Sequence, residues 1–276
     1  MVLRTKNLSA KTLKEIREQL PTPGRAVSES ILKALEQDRR YGAQEMAQAI
    51  RKRKLKNFRE GQRLDQLLQF ELELWKQGVR RIAGVDEAGM APLAGPVVAA
   101  TVILPRRYKL AGLDDSKKII NEHKRQELAS QIKRDAVCWS VGRTEAEEID
   151  RINIYQSGLL AMQRAVEGLR VKPDFLLVDA RTIPHCPYPQ KGIIHGDALS
   201  ASIAAASIIA KTTRDDFMIE MDRTYPGYGF AAHKGYPTLD HLRALKKLGP
   251  IPIHRKSFGP VREALGFNSV QGELFQ

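Results

Sequence analysis

Four acidic residues in this chain of 276 stand where a folding argument alone would not put them. Asp86 and Glu87 end an apolar run and lead straight into Gly89. Asp179 closes the run FLLV, and Asp197 sits in His195-Gly196-Asp197, just ahead of the small, apolar stretch SASIAAASIIA. Ligand sites in sheets crossed by helices gather at the C-terminal ends of strands, so acids at three separate ends can converge on one point. A cluster of like charges must protonate in part or bind cations. Hard divalent ions take oxygen ligands, and Mg²⁺ characteristically combines one or two carboxylates with phosphate oxygens. Two such ions about 3.5–4 Å apart activate a water and stabilise the leaving oxygen in phosphodiester hydrolysis. Singly, the acids have plainer uses, Asp197 as a helix N-cap and Asp179 as the start of a turn. The adjacent pair in GVDEAG is the stronger sign.

Elements that could carry these acids are legible around them. Residues 82–86 and 97–104 read as two buried strands separated by a Gly- and Pro-rich turn, and 138–144 as a third. Residues 175–178 form a short apolar strand, and 192–194 begin another segment. Helical patterns cover 122–134, 154–169, 200–221 and 239–248. Three early strands followed by strands alternating with helices predict an α/β fold, a mixed sheet covered by helices.

The first third has a different texture, almost free of β-branched runs. Ser9-Ala10-Lys11-Thr12-Leu13 opens a helix and Pro21-Thr22-Pro23-Gly24 breaks it. A second helix is expected over 27–35. A third begins near Gln44 and extends, with a break at Gly61, through Leu74. The division expected is a basic helical accessory domain over 1–75, a catalytic domain over 76–266 and a tail over 267–276.

Net charge is +13, and residues 1–80 hold 18 basic against 10 acidic side chains, the remaining 196 holding 27 against 22. Such basicity favours a polyanionic partner, and the 6% aromatic content favours nucleic acid over a membrane surface. The run RKRKLKNFREGQR, residues 51–63, is either a solvated helix face or a phosphate-contacting one that adds salt-sensitive affinity. Two cysteines are too few for a disulfide framework or a cysteine-rich zinc site. The longest apolar stretch, residues 97–104, falls far short of the ~20 residues that cross a bilayer. Without a secretory-type N-terminus, a cytoplasmic location is expected. His195 is read as a phosphate contact or filler, and His233 and His241 as solvated. No Ser-His-Asp or Cys-His arrangement can be argued from spacing.

GVDEAG followed by PLAGPVVAA, then LDDSKKI, NIYQSGLLAMQRAV, SASIAAASIIAKTTRD, YGFAAHKGYPT and RKSFGPV resembles the ribonuclease HII family, in order, over residues 80–266. The N-terminal segment is similar to the helical extension of some bacterial members. The resemblance implies a ribonuclease H-like five-stranded mixed sheet, dependence on Mg²⁺ or Mn²⁺, and endonucleolytic cleavage of RNA in RNA–DNA hybrids. Cleavage in that family falls 5′ to a ribonucleotide and leaves a 3′-hydroxyl and a 5′-phosphate, which connects it to DNA repair and replication. The family's carboxylates fall on Asp86, Glu87, Asp179 and Asp197, as catalytic and metal-binding residues. Tyr236 matches the tyrosine that packs on the sugar at the junction, and Ser116, Lys117 and Lys118 match a substrate-contacting loop. A monomer is expected.

Three departures cluster near the site. Gly89-Met90-Ala91 stands where the family has Gly-Arg-Gly, which removes an arginine and adds a Cβ where the backbone approaches the sugar or takes φ > 0. Asp179-Ala180-Arg181 replaces the usual Asp-Gly, and His195 a lysine. These changes bear on selectivity for a single ribonucleotide, which rests on the 2′-hydroxyl. The alternative function is a hybrid-binding protein in which the altered loop no longer supports cleavage; retention of all four acids argues for the enzyme. Finally, Gln271, Leu274 and Phe275 in the tail resemble the Gln-x-x-Leu-Phe peptide with which bacterial replication proteins enter the sliding clamp.

Overall fold

The computed structural model describes residue 8, residues 10–20 and residues 27–267; the tail with Gln271, Leu274 and Phe275, and the 21–24 break, lie outside the described residues. Two compact units divide the chain, Met1–Arg63 and Leu64–Gln276. In the first, α1 (Leu13–Gln19) starts with a capping box between Thr12 and Glu15, and α2 (Glu29–Glu36) is capped by Ser28. Their apolar faces meet that of α3 (Tyr41–Leu67) in a core of Ile16, Leu32, Leu35, Ala43 and Ala47. Arg51, the first residue of the basic run, pairs with Glu29 and Glu36, while Lys52, Lys56 and Arg59 are exposed. The expected break at Gly61 does not occur: a glycine with open space around it costs a helix only about 1 kcal/mol. The interruption falls at Leu68, and α4 (Gln69–Lys76) follows.

The second unit is built on a five-stranded sheet in the order β3-β2-β1-β4-β5, confirming the expected α/β class. Its strands are β1 (Ile82–Ala88), β2 (Val97–Ile103), β3 (Cys138–Thr144), β4 (Phe175–Asp179) and β5 (Gln190–Ile193). β1–β2 and β2–β3 run antiparallel, β1–β4 and β4–β5 parallel. Between them run α5 (Glu122–Asp135), α6 (Ala146–Ile152), α7 (Ile154–Glu167) and the single turn α8 (Gly196–Leu199). The long α9 (Ala201–Thr224), then α10 (Phe230–His233), α11 (Leu239–Leu248) and α12 (Gly259–Ala264), complete the unit. Among the described residues no helix is long and apolar enough to cross a membrane.

Strand alternation sorts the core into two layers. Ala100 and Val102 face Ala204, Ala205 and Ile208 of α9; Val85, Val97, Ala99 and Ile103 face Ala161, Met162 and Ala165 of α7. The small residues of α9 let its first turn lie directly on β1. A Cβ at Gly84 would stand 2.0 Å from the Ser202 carbonyl carbon and 2.3 Å from the Ile203 nitrogen.

Contrary to expectation, His241 is fully buried and His233 partly so, because a histidine cluster forms the core beside the Tyr236 loop. The Ile251 N–H donates to His254 Nδ1 at 3.0 Å, so the neutral His254 carries its proton on Nε2. That proton is given to His241 Nε2, 3.1 Å away, and His241 Nδ1–H then donates to the Tyr236 carbonyl at 2.9 Å. Every member must be neutral, since a second proton on either ring sets two donors face to face. Burial and the neighbouring His241 hold His254 down to about 4.

Two outcomes follow. Gly84→Ala forces β1 and α9 apart and should destabilise the protein by about 3 kcal/mol in denaturant unfolding. For His254, the unfolded chain takes up a proton near pH ~6.5 while the folded one stays neutral to about 4. The relay's contribution is therefore complete above pH ~6.5 and is lost progressively as pH falls towards 4. Unfolding free energies measured from pH 7.5 to 4.5 should fall by on the order of 2 kcal/mol more in the wild type than in His254→Asn. Parallel pH profiles would refute the neutral relay.

Candidate active site

Register alone brings two of the acids together. Val85 pairs with Val178 across the parallel β1–β4 ladder, so Asp86 and Asp179, next in each chain, sit at equivalent positions on adjacent strands. Alternation sends Asp86 towards α9, where the Ser207 hydroxyl bonds it, and Glu87 towards Arg181. One carboxylate oxygen from each of Asp86, Glu87 and Asp179 lies within 4.8 Å of the other two. Burial, and then the charges of Glu87 and Asp179, push the Asp86 carboxyl well above the usual carboxylate range. Burial also raises Glu87, with Arg181 opposing and Asp179 adding. Oε2 of Glu87 is buried without a hydrogen-bond partner among the described residues.

Each acid is held by donors that the backbone supplies. The Glu87 N–H donates to Asp86 Oδ1 at 2.7 Å, and the Gly196 N–H to Asp179 Oδ1 at 2.7 Å. That second bond ties β4 to the turn that carries Asp197. Chain direction there depends on left-handed backbone at Ala180 (φ 53°) and His195 (φ 58°). Only glycine takes that conformation without cost, so both residues store some strain beside the acids.

Asp197 is buried in α8, and it is no cap of the long helix: Ser200 holds that position and accepts from the Ile203 N–H. Asp197 is not one of the three acids brought within 4.8 Å; Lys117 Nζ stands 3.4 Å from its Oδ2. Burial works against the Lys117 charge, but Asp197 and then Asp86 outweigh it and raise its pKa. The ammonium thus links the fourth acid electrostatically to Asp86 and Glu87. Ser116, one residue earlier, is buried, with its hydroxyl 2.8 Å from that of Ser207. Lys118 stays exposed and 3.5 Å from Asp114.

One further group holds the start of α9. The fully buried Glu71 accepts from the Ser200 hydroxyl at 2.7 Å and from the Ser202 N–H at 2.9 Å. Neither Glu71 nor Ser207 was found by sequence reasoning. The available signal was that serines are the polar interruptions in SASIAAAS.

The segment 89–96 is gripped by two buried arginines. Arg214 donates to the carbonyls of Ala94, Pro96 and Lys234; Arg255 donates to those of Gly89, Met90 and Gly95. Gly89, at φ +95°, has no room for a side chain: its Cβ would fall 2.2 Å from Arg214 Nε. Ala91 is exposed and is not among the residues of positive φ, so the expected backbone penalty there is absent. Tyr236 is partly exposed, with the Arg214 guanidinium 6.0 Å from its ring and Lys211 Nζ at 5.8 Å. Arg214 therefore adjoins both Gly89 and the Tyr236 ring. Both arginines lie in matched motifs, KTTRD and RKSFGPV, yet gave no sign that they would be buried.

The donor set suits hard divalent cations. It is all oxygen, it is desolvated, and it leaves the Glu87 Oε2 orphaned. Comparison with known proteins agrees with this chemistry. The family model described as ribonuclease HII matches residues 83–261, and that of the ribonuclease HII N-terminal domain matches 12–75. The chain is 63% identical to a ribonuclease HII of Myxococcus xanthus, over 95% of this chain and 92% of that one. Its fold is similar to the ribonuclease H2 of Pyrococcus horikoshii, at TM-score 0.57 and 25% identity, over 67% of this chain and 96% of that one. It is similar also to the Archaeoglobus fulgidus ribonuclease HII solved in complex with PCNA, at TM-score 0.56 and 24% identity, over 65% and 95%. The matched family models and the acidic cluster at the ends of β1 and β4 lead to one conclusion: this chain belongs to the ribonuclease HII family, metal-dependent RNase H-type endonucleases that act on RNA–DNA hybrids.

Proposed function

We propose that this protein cuts the RNA-containing strand of RNA–DNA duplexes on the 5′ side of a ribonucleotide, leaving a 3′-hydroxyl and a 5′-phosphate, in the removal of ribonucleotides from DNA. The observation that carries the reading is the desolvated trio Asp86, Glu87 and Asp179 at the ends of two parallel strands. Asp86, Glu87 and Asp179, with Asp197 beside them, would hold the divalent ions, Mg²⁺ or Mn²⁺. Bound there, the ions supply Lewis acidity to the attacking water and the leaving oxygen.

The chain's own groups do the rest. Lys117 brings a positive charge to the edge where the phosphate enters, and the loop from Ser116 to Lys118 contacts the strand. The Tyr236 ring packs on the sugar at the junction, its loop held in place by the histidine relay. Gly89, Met90 and Ala91 face the ribose, their backbone made rigid by Arg255. The accessory region, taken as residues 1–75, adds sequence-independent affinity through its exposed Lys52, Lys56 and Arg59. The protein acts as a monomer in the cytoplasm.

The test is cleavage, with Mg²⁺ or Mn²⁺, of two labelled duplexes, one with a single ribonucleotide in DNA and one with a continuous RNA strand. Both should be cut. Asp86→Asn should lower the rate by at least about 10²-fold through lost charge stabilisation. Cleavage of the continuous hybrid alone would mean that the Met90-Ala91 loop has lost the junction. Binding without cleavage of either would establish the non-catalytic alternative.

The tail carries a separate expectation. Gln271, Leu274 and Phe275 would anchor the chain in the hydrophobic pocket of the sliding clamp, and a solved relative of this fold was captured with PCNA. Deleting residues 271–276 should abolish clamp binding in a pull-down and leave duplex cleavage intact. A full-length chain that does not bind the clamp rules this out.

A further inference from the structure

Arg181 is a cation placed beside the acidic cluster with no acceptor of full strength. Its guanidinium lies over the Tyr155 ring, 4.9 Å from the centroid. Nη2 faces Glu87 Oε1 at 3.8 Å, an ion pair too long for a hydrogen bond. Nη1 is buried with no hydrogen-bond partner among the described residues. The side chain as a whole keeps 23% of its surface exposed, so it is mostly stripped of water and can be reached at its open edge, although Nη1 itself is covered. A guanidinium with one buried nitrogen unpartnered and its ion pair stretched is costly to maintain, and a phosphate oxygen is an acceptor that its planar fork fits well.

Its position is as telling as its state. A Cβ at Gly158, on α7, would stand 3.0 Å from Arg181 Nη1 and 3.1 Å from Met90 Sδ. The side chains of residues 90 and 181 therefore close on one small space, although 91 positions separate them in sequence. Residue 90 reaches it from the loop after β1, and residue 181 from the end of β4.

We propose that Arg181 binds a non-bridging oxygen of the phosphate at the cut site, supplying from the end of β4 the positive charge that the Gly89-Met90-Ala91 loop lacks. This rests on the reading of the site as a hybrid nuclease. Met90 is then the neutral, adaptable side chain that fills the space beside the guanidinium. The two positions form an exchangeable pair in which one residue, and only one, carries the charge.

Four variants test this: Arg181→Met, Arg181→Lys, Met90→Arg, and the exchange double variant Met90→Arg/Arg181→Met. Arg181→Met should lower kcat/KM on the single-ribonucleotide duplex about 10- to 100-fold, the loss of one charged hydrogen bond. Arg181→Lys should fall between it and the wild type, because the charge stays and the fork is lost. Met90→Arg should be impaired by two guanidinium groups in one space, and the double variant should recover most of the wild-type rate.

A second readout does not depend on cleavage. Binding of the uncut duplex in EDTA, measured against KCl concentration, should show the log–log salt slope of Arg181→Met reduced by about one phosphate contact and restored in the double variant. Wild-type kinetics and slope in Arg181→Met would overturn the proposal. So would a double variant that melts like the wild type yet recovers neither rate nor slope. Failure of the hydrolase reading would look different, as no cleavage by the wild type itself. The salt slopes would then decide on Arg181 alone.

Discussion

Mutual repulsion of carboxylates is the constraint around which this molecule is organised. Asp86, Glu87 and Asp179 approach within 4.8 Å in a desolvated pocket, and at that range neither water nor salt screens them well. Left alone, such a group would part the strands or protonate. The sheet prevents the first, because Asp86 and Asp179 terminate adjacent strands of a parallel pair whose register is fixed by buried Val85 and Val178. Local donors oppose the second: the Ser207 hydroxyl, and the N–H groups of Glu87 and Gly196. Lys117 on one side and Arg181 on the other complete the balance. Burial first, and then the neighbouring acids, still leave the Asp86 and Glu87 carboxyls raised, and a bound cation would relieve both effects.

The same logic with opposite sign governs the loop between β1 and β2. Arg214 and Arg255 are fully buried, and their hydrogen-bond acceptors are backbone carbonyls that carry no net charge. Burial, and then the charge of Arg214, lower Arg255 to about 9, still mostly protonated at neutral pH. Carbonyl acceptors rigidify the loop without neutralising the cations. A positive field therefore persists under Gly89 and Tyr236, the side on which the proposed function puts the phosphodiester backbone. A pair of buried lysines could not do this, since one ammonium cannot span three carbonyls in a plane.

The fold was legible wherever local pattern decides it. Residues 138–144 and 239–248 form the elements their periodicity predicts, and Asp86, Glu87 and Asp179 stand near strand ends because an apolar run stops at each. What escaped reading is polar, buried and long-range. Glu71 bonds Ser200 across 129 positions, Arg255 bonds Gly89 across 166, and His241 looked solvated because its partner His254 is thirteen residues on. Composition prices a buried charge as an exposed one, and only tertiary approach supplies its acceptor. Gly61 erred the other way: a residue that breaks helices in isolation is carried along when its neighbours on both sides are committed.

Sequence motif and spatial motif part most clearly at residues 90 and 181. By motif, Gly89-Met90-Ala91 is a defective loop, short of an arginine and burdened with a Cβ. In space, Ala91 is exposed with ordinary backbone, and a guanidinium already stands next to Met90, brought there from β4. Ala180 lets this happen: by entering the left-handed region at φ 53°, it turns the chain after Asp179 so that Arg181 comes back to face Glu87. The strain held at Ala180 is thus spent on placing a charge. A site defined by charge at a point tolerates a change in which strand delivers that charge, provided that the rigid elements around it, here β4 and α7, hold the point still.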